Sequence, residues 1–264
     1  MSLRLYQLDA FTDRLFAGNP AAVVPLTNWL ADEQMQQIAA ENNLAETAFY
    51  VPTETANHYH IRWFTPTVEV DLCGHATLAT AYVVFELEDK PAVDQITFDS
   101  RSGVLKVCRE EGALVLDFPV DSVQKASVQP PALLTSLAEK PVAIFKGKTD
   151  YMVVYDTQAQ IDALTPDFRE LATVPARGVI VTAPGDDCDF VSRFFGPQSG
   201  VDEDPVTGSA HTTLVPYWAE RLGKTQLTAR QLSKRGGTLT CTLKGDRVDI
   251  AGQVRLYLRG TIDV

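Results

Sequence analysis

The stretch Asp71-Leu72-Cys73-Gly74-His75-Ala76-Thr77 and a fainter second copy, Asp204-Pro205-Val206-Thr207-Gly208-Ser209-Ala210, constrain the fold more than any other feature of the chain. Each lies between a strand-like and a helix-like run and sets Gly, then a polar residue, where the helix begins. With Gly74 aligned on Gly208 the flanks agree too: Arg62-Trp63-Phe64-Thr65-Pro66 precedes one copy and Arg193-Phe194-Phe195-Gly196-Pro197 the other. Arg to Gly spans 12 positions in the first copy and 15 in the second, so three extra residues separate them. A strand–Gly–helix unit used twice predicts two similar half-domains with a site between them.

The rest of the chain follows that plan. Residues 5–11, 58–64, 95–98, 104–107 and 113–118 alternate as strands. Asp32–Asn42 reads as a helix with Met35, Ile38 and Ala39 on one face, and residues 76–86 as a helix apolar nearly all round and therefore buried. In the second half, 142–145, 151–155, 178–182 and 189–195 read as strands. Thr165 reads as an N-cap with Pro166 at the first helical position. Phe168 and Leu171 fall 133 positions after Met35 and Ile38. A helix over 209–222 closes on Gly223 and is bent by Pro216; strands near 237–243, 247–250 and 254–258 finish the chain. The fold class is α+β: two pseudo-symmetric half-domains, residues 1–121 and 122–253, each with strands wrapped against a central helix. Segment 122–131, ending in Pro130-Pro131, reads as the linker.

A chain of 264 residues, 45% hydrophobic and 22% charged, can bury a full core. Its formal net charge of −11, with no basic block, argues against a nucleic-acid or anionic-membrane partner. The four cysteines (Cys73, Cys108, Cys188, Cys241) show no metal-ligand spacing. No apolar run approaches the roughly 18 residues of a membrane span. With an N-terminus that reads directly as a strand, a reduced cytoplasmic compartment is expected, and no cofactor or metal is called for.

Glu46 stands out because it opens a β-branched and aromatic run where a carboxylate has no local structural reason to be; such a group suits proton transfer. The alternative is a strand-end carboxylate facing solvent. The second half has Ala176, Arg177 and Gly178 there, with no acid. Gly74-His75 and Gly208-Ser209 begin helices, whose first N–H groups and positive dipole end suit an anion. His75 is a candidate acid/base or carboxylate donor, against a structural role. Asp204 is a second acidic candidate, against a solvated run with Asp202 and Glu203. Asn19, within Gly18-Asn19-Pro20, reads as turn chemistry rather than a substrate contact. Cys73 offers a rival base, since a thiol at a helix start tends toward a lowered pKa; a racemase needs a second base, and the matching position is Thr207.

The segments Phe16-Ala17-Gly18-Asn19-Pro20, Asn43-Leu44-Ala45-Glu46-Thr47, Phe64-Thr65-Pro66, Leu72-Cys73-Gly74-His75-Ala76-Thr77 and Glu203-Asp204-Pro205-Val206-Thr207-Gly208-Ser209-Ala210 resemble, in order and over nearly the whole chain, the PhzF (phenazine biosynthesis-like) isomerase family. The resemblance implies a diaminopimelate-epimerase-like fold, each half a curled, mostly antiparallel sheet around a central helix. It implies an active site in the cleft, a last strand (254–264) completing the first half, and a homodimer. It also implies a metal- and cofactor-independent proton transfer between carbons of a small, anionic substrate. The catalytic Glu of the family carries over to Glu46, and its substrate-binding residues to His75, Asp204 and Ser209, beside Gly74 and Gly208. A Cys-based epimerase and a non-catalytic binding protein that keeps the fold are the alternatives.

Overall fold

The computed structural model describes residues 1–110 and 112–264. The chain divides into two compact units, Met1–Phe118 with Ile250–Val264, and Pro119–Asp249.

In the first unit β1 (Ser2–Ala10) pairs antiparallel with the C-terminal strand Val254–Asp263 on one side and with β2 (Asn19–Pro25) on the other. Helix α1 (Asp32–Asn42) carries the chain back, so that β3 (Glu46–Pro52) joins β2 in parallel, as a parallel neighbour requires. Antiparallel β4 (His58–Phe64) and the short β5 (Glu69–Val70) lead to α2 (Gly74–Tyr82). After it, β6 (Gln95–Ser100) runs parallel to β4, and β7 (Gly103–Glu110) and β8 (Ala113–Pro119) continue antiparallel.

Thr47, Ala48, Phe49, Tyr50 and Val51 of β3 are all buried, because both faces of the strand are covered. Phe49 and Val51 join Val24, Phe64, Met35 and Ile38 beneath α1. Alternation sends Ala48 and Tyr50 to the opposite face, and α2 packs on β1, β2 and β3. Residues 74–81 of α2 are all buried. With no water to satisfy them, Thr77 and Thr80 turn their hydroxyls back onto the Cys73 and Ala76 carbonyls at 2.6 and 2.7 Å. The helix starts at Gly74 and passes into a π-helical turn, Val83–Leu87, instead of continuing as α-helix.

The second unit repeats the pairing pattern. It holds β9 (Gln124–Lys125), α3 (Pro131–Leu137), β10 (Ala143–Lys146), β11 (Tyr151–Val154), α4 (Gln158–Ala163) and α5 (Phe168–Leu171). Then come β12 (Val179–Pro184), β13 (Phe190–Gly196), β14 (Val201–Asp204), α6 (Gly208–Leu222), β15 (Gln226–Gln231) and β16 (Gly237–Lys244). Strands β11 and β12 pair in parallel as β2 and β3 do, and β13 and β15 as β4 and β6 do; β9–β10, β10–β11, β12–β13, β13–β14 and β15–β16 are antiparallel.

The three extra residues of the second copy can be placed. Arg62 pairs with Glu69 seven positions on, and Arg193 with Glu203 ten positions on, each through Nε at 2.7 Å. From each Glu to the helix glycine the distance along the chain is the same. The insertion therefore lies within the loop around the 3₁₀ turn Pro197–Ser199, upstream of the ion-paired Glu, and leaves the approach to the helix unchanged.

Two expectations need correction. Thr165 does not cap a helix: Asp167 does, its carboxylate accepting from the N–H groups of Arg169 and Glu170 at 3.0 and 3.2 Å. The helix that precedes it, α4, was not anticipated, although Thr157 and Gln160 form a capping box at its start. Segment 122–131 is not plain linker, since Gln124 and Lys125 pair with β10 and Pro131 opens α3. Pro216 lies inside helix α6, as expected, where it cannot donate to the Thr212 carbonyl. That carbonyl accepts instead from the Asp121 N–H at 3.2 Å.

Candidate active site

In the first unit the parallel pairing of β2 with β3 sets Ala21 opposite Glu46. The strand starts Asn19 and Glu46 thereby reach the first turn of α2, where Cys73 is the N-cap and makes no capping bond through its side chain. Four side chains meet there. His75, 4% exposed, places Nε2 3.1 Å from Glu46 Oε2, and Glu46 is 17% exposed. His75 Nδ1 lies 3.0 Å from Asn19 Nδ2 and 3.5 Å from Cys73 Sγ. Glu46 Oε2 is buried and makes no aligned hydrogen bond among the described residues, so its contact with His75 is one of charge rather than of a directed N–H···O bond.

Complete burial opposes charge on His75, but Cys73 and Glu46 together outweigh it, and the imidazole pKa stands well above its usual value. Cys73 is pushed up to about 11, first by burial and then by the Glu46 carboxylate. It is therefore a neutral thiol near pH 7, so the attraction that a Cys73 thiolate would offer the imidazolium is absent there, and the neighbouring Glu46 carboxylate is what favours the protonated ring. The expected acidified thiol is overturned, because desolvation outweighs the helix-end dipole here. An imidazolium needs an acceptor at Nδ1; a half-turn of the Asn19 amide supplies Oδ1 where Nδ2 stands, so Asn19 can serve either protonation state. Glu46, Cys73 and His75 also present one potential metal-ligand atom each, all within 4.8 Å of one another.

In the second unit Thr207 is the N-cap of α6 and Ser209 its second residue. Thr207 cannot match Cys73 as a base: its hydroxyl donates to Asp204 Oδ2, while its N–H donates to Gln231 Oε1 at 2.8 Å. Gln231 Nε2 also donates to the Asp204 carbonyl at 2.8 Å. The acidic run is divided: Glu203 pairs with Arg193, Asp204 binds the helix cap, and Asp202 is exposed. Ser209 Oγ accepts from Arg177 Nη1 at 3.1 Å, and Arg177 clasps the buried Asp150 through Nε at 2.9 Å and through Nη2.

The position equivalent to Glu46 follows from register. Thr47 pairs with Phe64 and Val179 with Phe195, so Glu46 corresponds to Gly178. A Cβ on Gly178 would sit 2.2 Å from Phe194 Cζ, so no side chain fits without moving that ring. Sequence reasoning assigned three residues of these clusters to no site, Asn19 being read as part of a turn. Asn19 and Gln231 join theirs across 56 and 24 positions. Arg177 was noted only for not being an acid; its cationic side chain before Gly178 was the available signal.

No helix of the described residues is long and apolar enough to cross a membrane. The family model described as phenazine biosynthesis-like protein matches residues 8–261. An uncharacterized isomerase of Pseudomonas aeruginosa is 52% identical over 263 residues, covering 99% of each chain. The crystal structure of a phenazine biosynthesis protein of the PhzF family from Enterococcus faecalis superposes with a TM-score of 0.94 at 45% identity, covering 100% of both chains. A hydroxyproline epimerase from Agrobacterium vitis shares the fold alone, with a TM-score of 0.64 at 10% identity over 99% of this chain and 91% of its own.

Proposed function

The chain belongs to the phenazine biosynthesis-like (PhzF) family, and we propose that it is an isomerase in which the single carboxylate Glu46 takes a proton from one carbon of a small, anionic substrate and returns it at another. The observation that carries this reading is the first-unit cluster: a partly exposed carboxylate 3.1 Å from a buried His75, beside a thiol too weakly acidic to compete as base. No second base stands at the equivalent positions, where Thr207 donates to Asp204 and Gly178 has no side chain. The protonated His75 stabilises negative charge that develops on the substrate as the C–H bond breaks. Substrate contacts are assigned to Gly74, His75, Asp204, Gly208 and Ser209, on the resemblance of their motifs. No metal or cofactor enters this scheme. A cytoplasmic homodimer belongs to the same reading; exposed Phe16 (71%) and Tyr257 (48%) of the first unit favour a partner copy.

The test is solvent deuterium incorporation into a panel of aromatic and amino-acid carboxylates, read by mass spectrometry. Wild type should label a substrate and Glu46→Gln should not; undiminished labelling by the variant would remove Glu46 as the base.

A further inference from the structure

Away from the active-site cluster, the first unit brings two imidazoles and one carboxylate together. His58 and His60 lie two positions apart on β4, so alternation puts both on one face, about 6.7 Å apart along the strand. Strand β6 runs parallel beside β4 and sets Asp99 opposite His60. The carboxylate meets both rings: its Oδ2 is 3.0 Å from His58 Nε2 and 3.7 Å from His60 Nδ1. His58 Nε2 is buried and makes no aligned hydrogen bond among the described residues, so it has none to give up to a ligand. Imidazoles beside a carboxylate suit zinc, nickel and copper better than magnesium or calcium. A tetrahedral zinc shell with its usual bond lengths has nitrogen-to-oxygen edges of roughly 3.3–3.5 Å. The two observed edges fall on either side of that range. The edge between the rings is the one that binding must draw in, by a turn of the His60 ring, which is 51% exposed. Of the four histidines, His75 and His211 are buried, so the rings that solvent reaches are those of His58 and His60.

We propose that His58, His60 and Asp99 form a binding site for a zinc-class divalent cation, with three protein ligands and a fourth position open to water. The ion bonds one nitrogen of each neutral ring and one Asp99 oxygen, and any proton on those nitrogens is released as it binds. Its place in the fold gives it a role. Strands β4 and β6 pair over three positions, His58 with Thr97, Tyr59 with Phe98 and His60 with Asp99. All three ligands lie on that short parallel seam, which closes the crossover from β4 through β5 and α2 to β6. The crossover carries Cys73, Gly74 and His75 at the start of its helix. An ion at the seam therefore fastens the frame that holds α2, and it does so whether or not Glu46 is the base.

Zinc alone is the probe, titrated by calorimetry into the untagged, chelator-stripped full chain. Wild type should bind one zinc at these residues, and its thermal midpoint should rise with zinc concentration, as for any ligand that binds the folded state. His58→Ala/His60→Ala should weaken binding at least tenfold and abolish the rise, and Asp99→Asn should weaken binding severalfold. Should the double variant fail the check of its fold by circular dichroism, modification of wild type with diethylpyrocarbonate, read by peptide mass spectrometry, replaces it. Zinc should then slow modification of His60 at least tenfold. No binding in wild type, binding undiminished in the folded double variant, or an unprotected His60 overturns the site.

Discussion

Arg177 donates to Ser209 Oγ at 3.1 Å while the rest of its guanidinium is committed to Asp150, whose side chain is 3% exposed. The geometry fixes the hydroxyl at the start of α6 by way of a buried ion pair. Removing the cation strands a buried carboxylate, so Arg177→Leu should cost about 3–5 kcal/mol in urea denaturation, and Asp150→Asn added to it should recover part of that loss. A cost under about 1 kcal/mol would show that the pair is not truly desolvated.

His211 sits fully buried in α6 with Nδ1 2.9 Å from the Thr207 carbonyl, and burial lowers its pKa from 6.5 to about 4. The unfolded chain therefore binds a proton that the folded chain refuses between those values. Stability should be complete above pH 6.5 and fall by about 3 kcal/mol as the pH drops through that window. His211→Gln should lack this component; identical acid-side slopes for variant and wild type would refute it.

For His75 the sign is opposite, because its pKa is raised. The stabilisation from its contact with Glu46 is fully present below the ordinary imidazole value of 6.5 and lost as pH rises through the elevated one. The stability gap between wild type and His75→Gln should thus narrow in alkaline solution, as measured by denaturant midpoints. A gap that widens with pH would mean that His75 is held neutral.

Cys73→Ala should retain solvent exchange that still depends on Glu46, since a thiol with a pKa pushed up to about 11 is protonated at working pH. Loss of exchange in a folded Cys73→Ala protein would restore the thiol as the base.

Gly178→Ala should destabilise by about 1–3 kcal/mol through overpacking, because its Cβ meets Phe194 Cζ at 2.2 Å. A neutral substitution would show the ring free to swing aside.

Much of the fold was legible because its signals are local. Asp32–Asn42 announces itself by Met35, Ile38 and Ala39, and Gly223 ends α6 in the left-handed conformation at φ 67°. The repeat was legible because Gly74 and Gly208 keep their chain distance from an ion-paired Glu. What was missed depends on partners far along the chain. Gly18-Asn19-Pro20 has the chemistry of a turn, and nothing nearby reveals that Asn19 meets a histidine 56 positions away. Thr165-Pro166 imitates a helix start, but the carboxylate of Asp167 reaches two N–H groups and sets the start later. For Cys73 the local rule pointed the wrong way, because the helix end favours the thiolate while the surrounding burial, which sequence does not display, disfavours it more.

The ring of Phe194 against Gly178 also bears on descent. In a lineage carrying this pair, a carboxylate gained at Gly178, the counterpart of Glu46 in the repeat, runs into a space already filled by the Phe194 ring. Shrinking Phe194 to make room removes a ring that is 7% exposed, at about 3–5 kcal/mol before any new chemistry appears. Either order of change therefore carries a stability cost, and packing resists a second side chain at this point of the repeat.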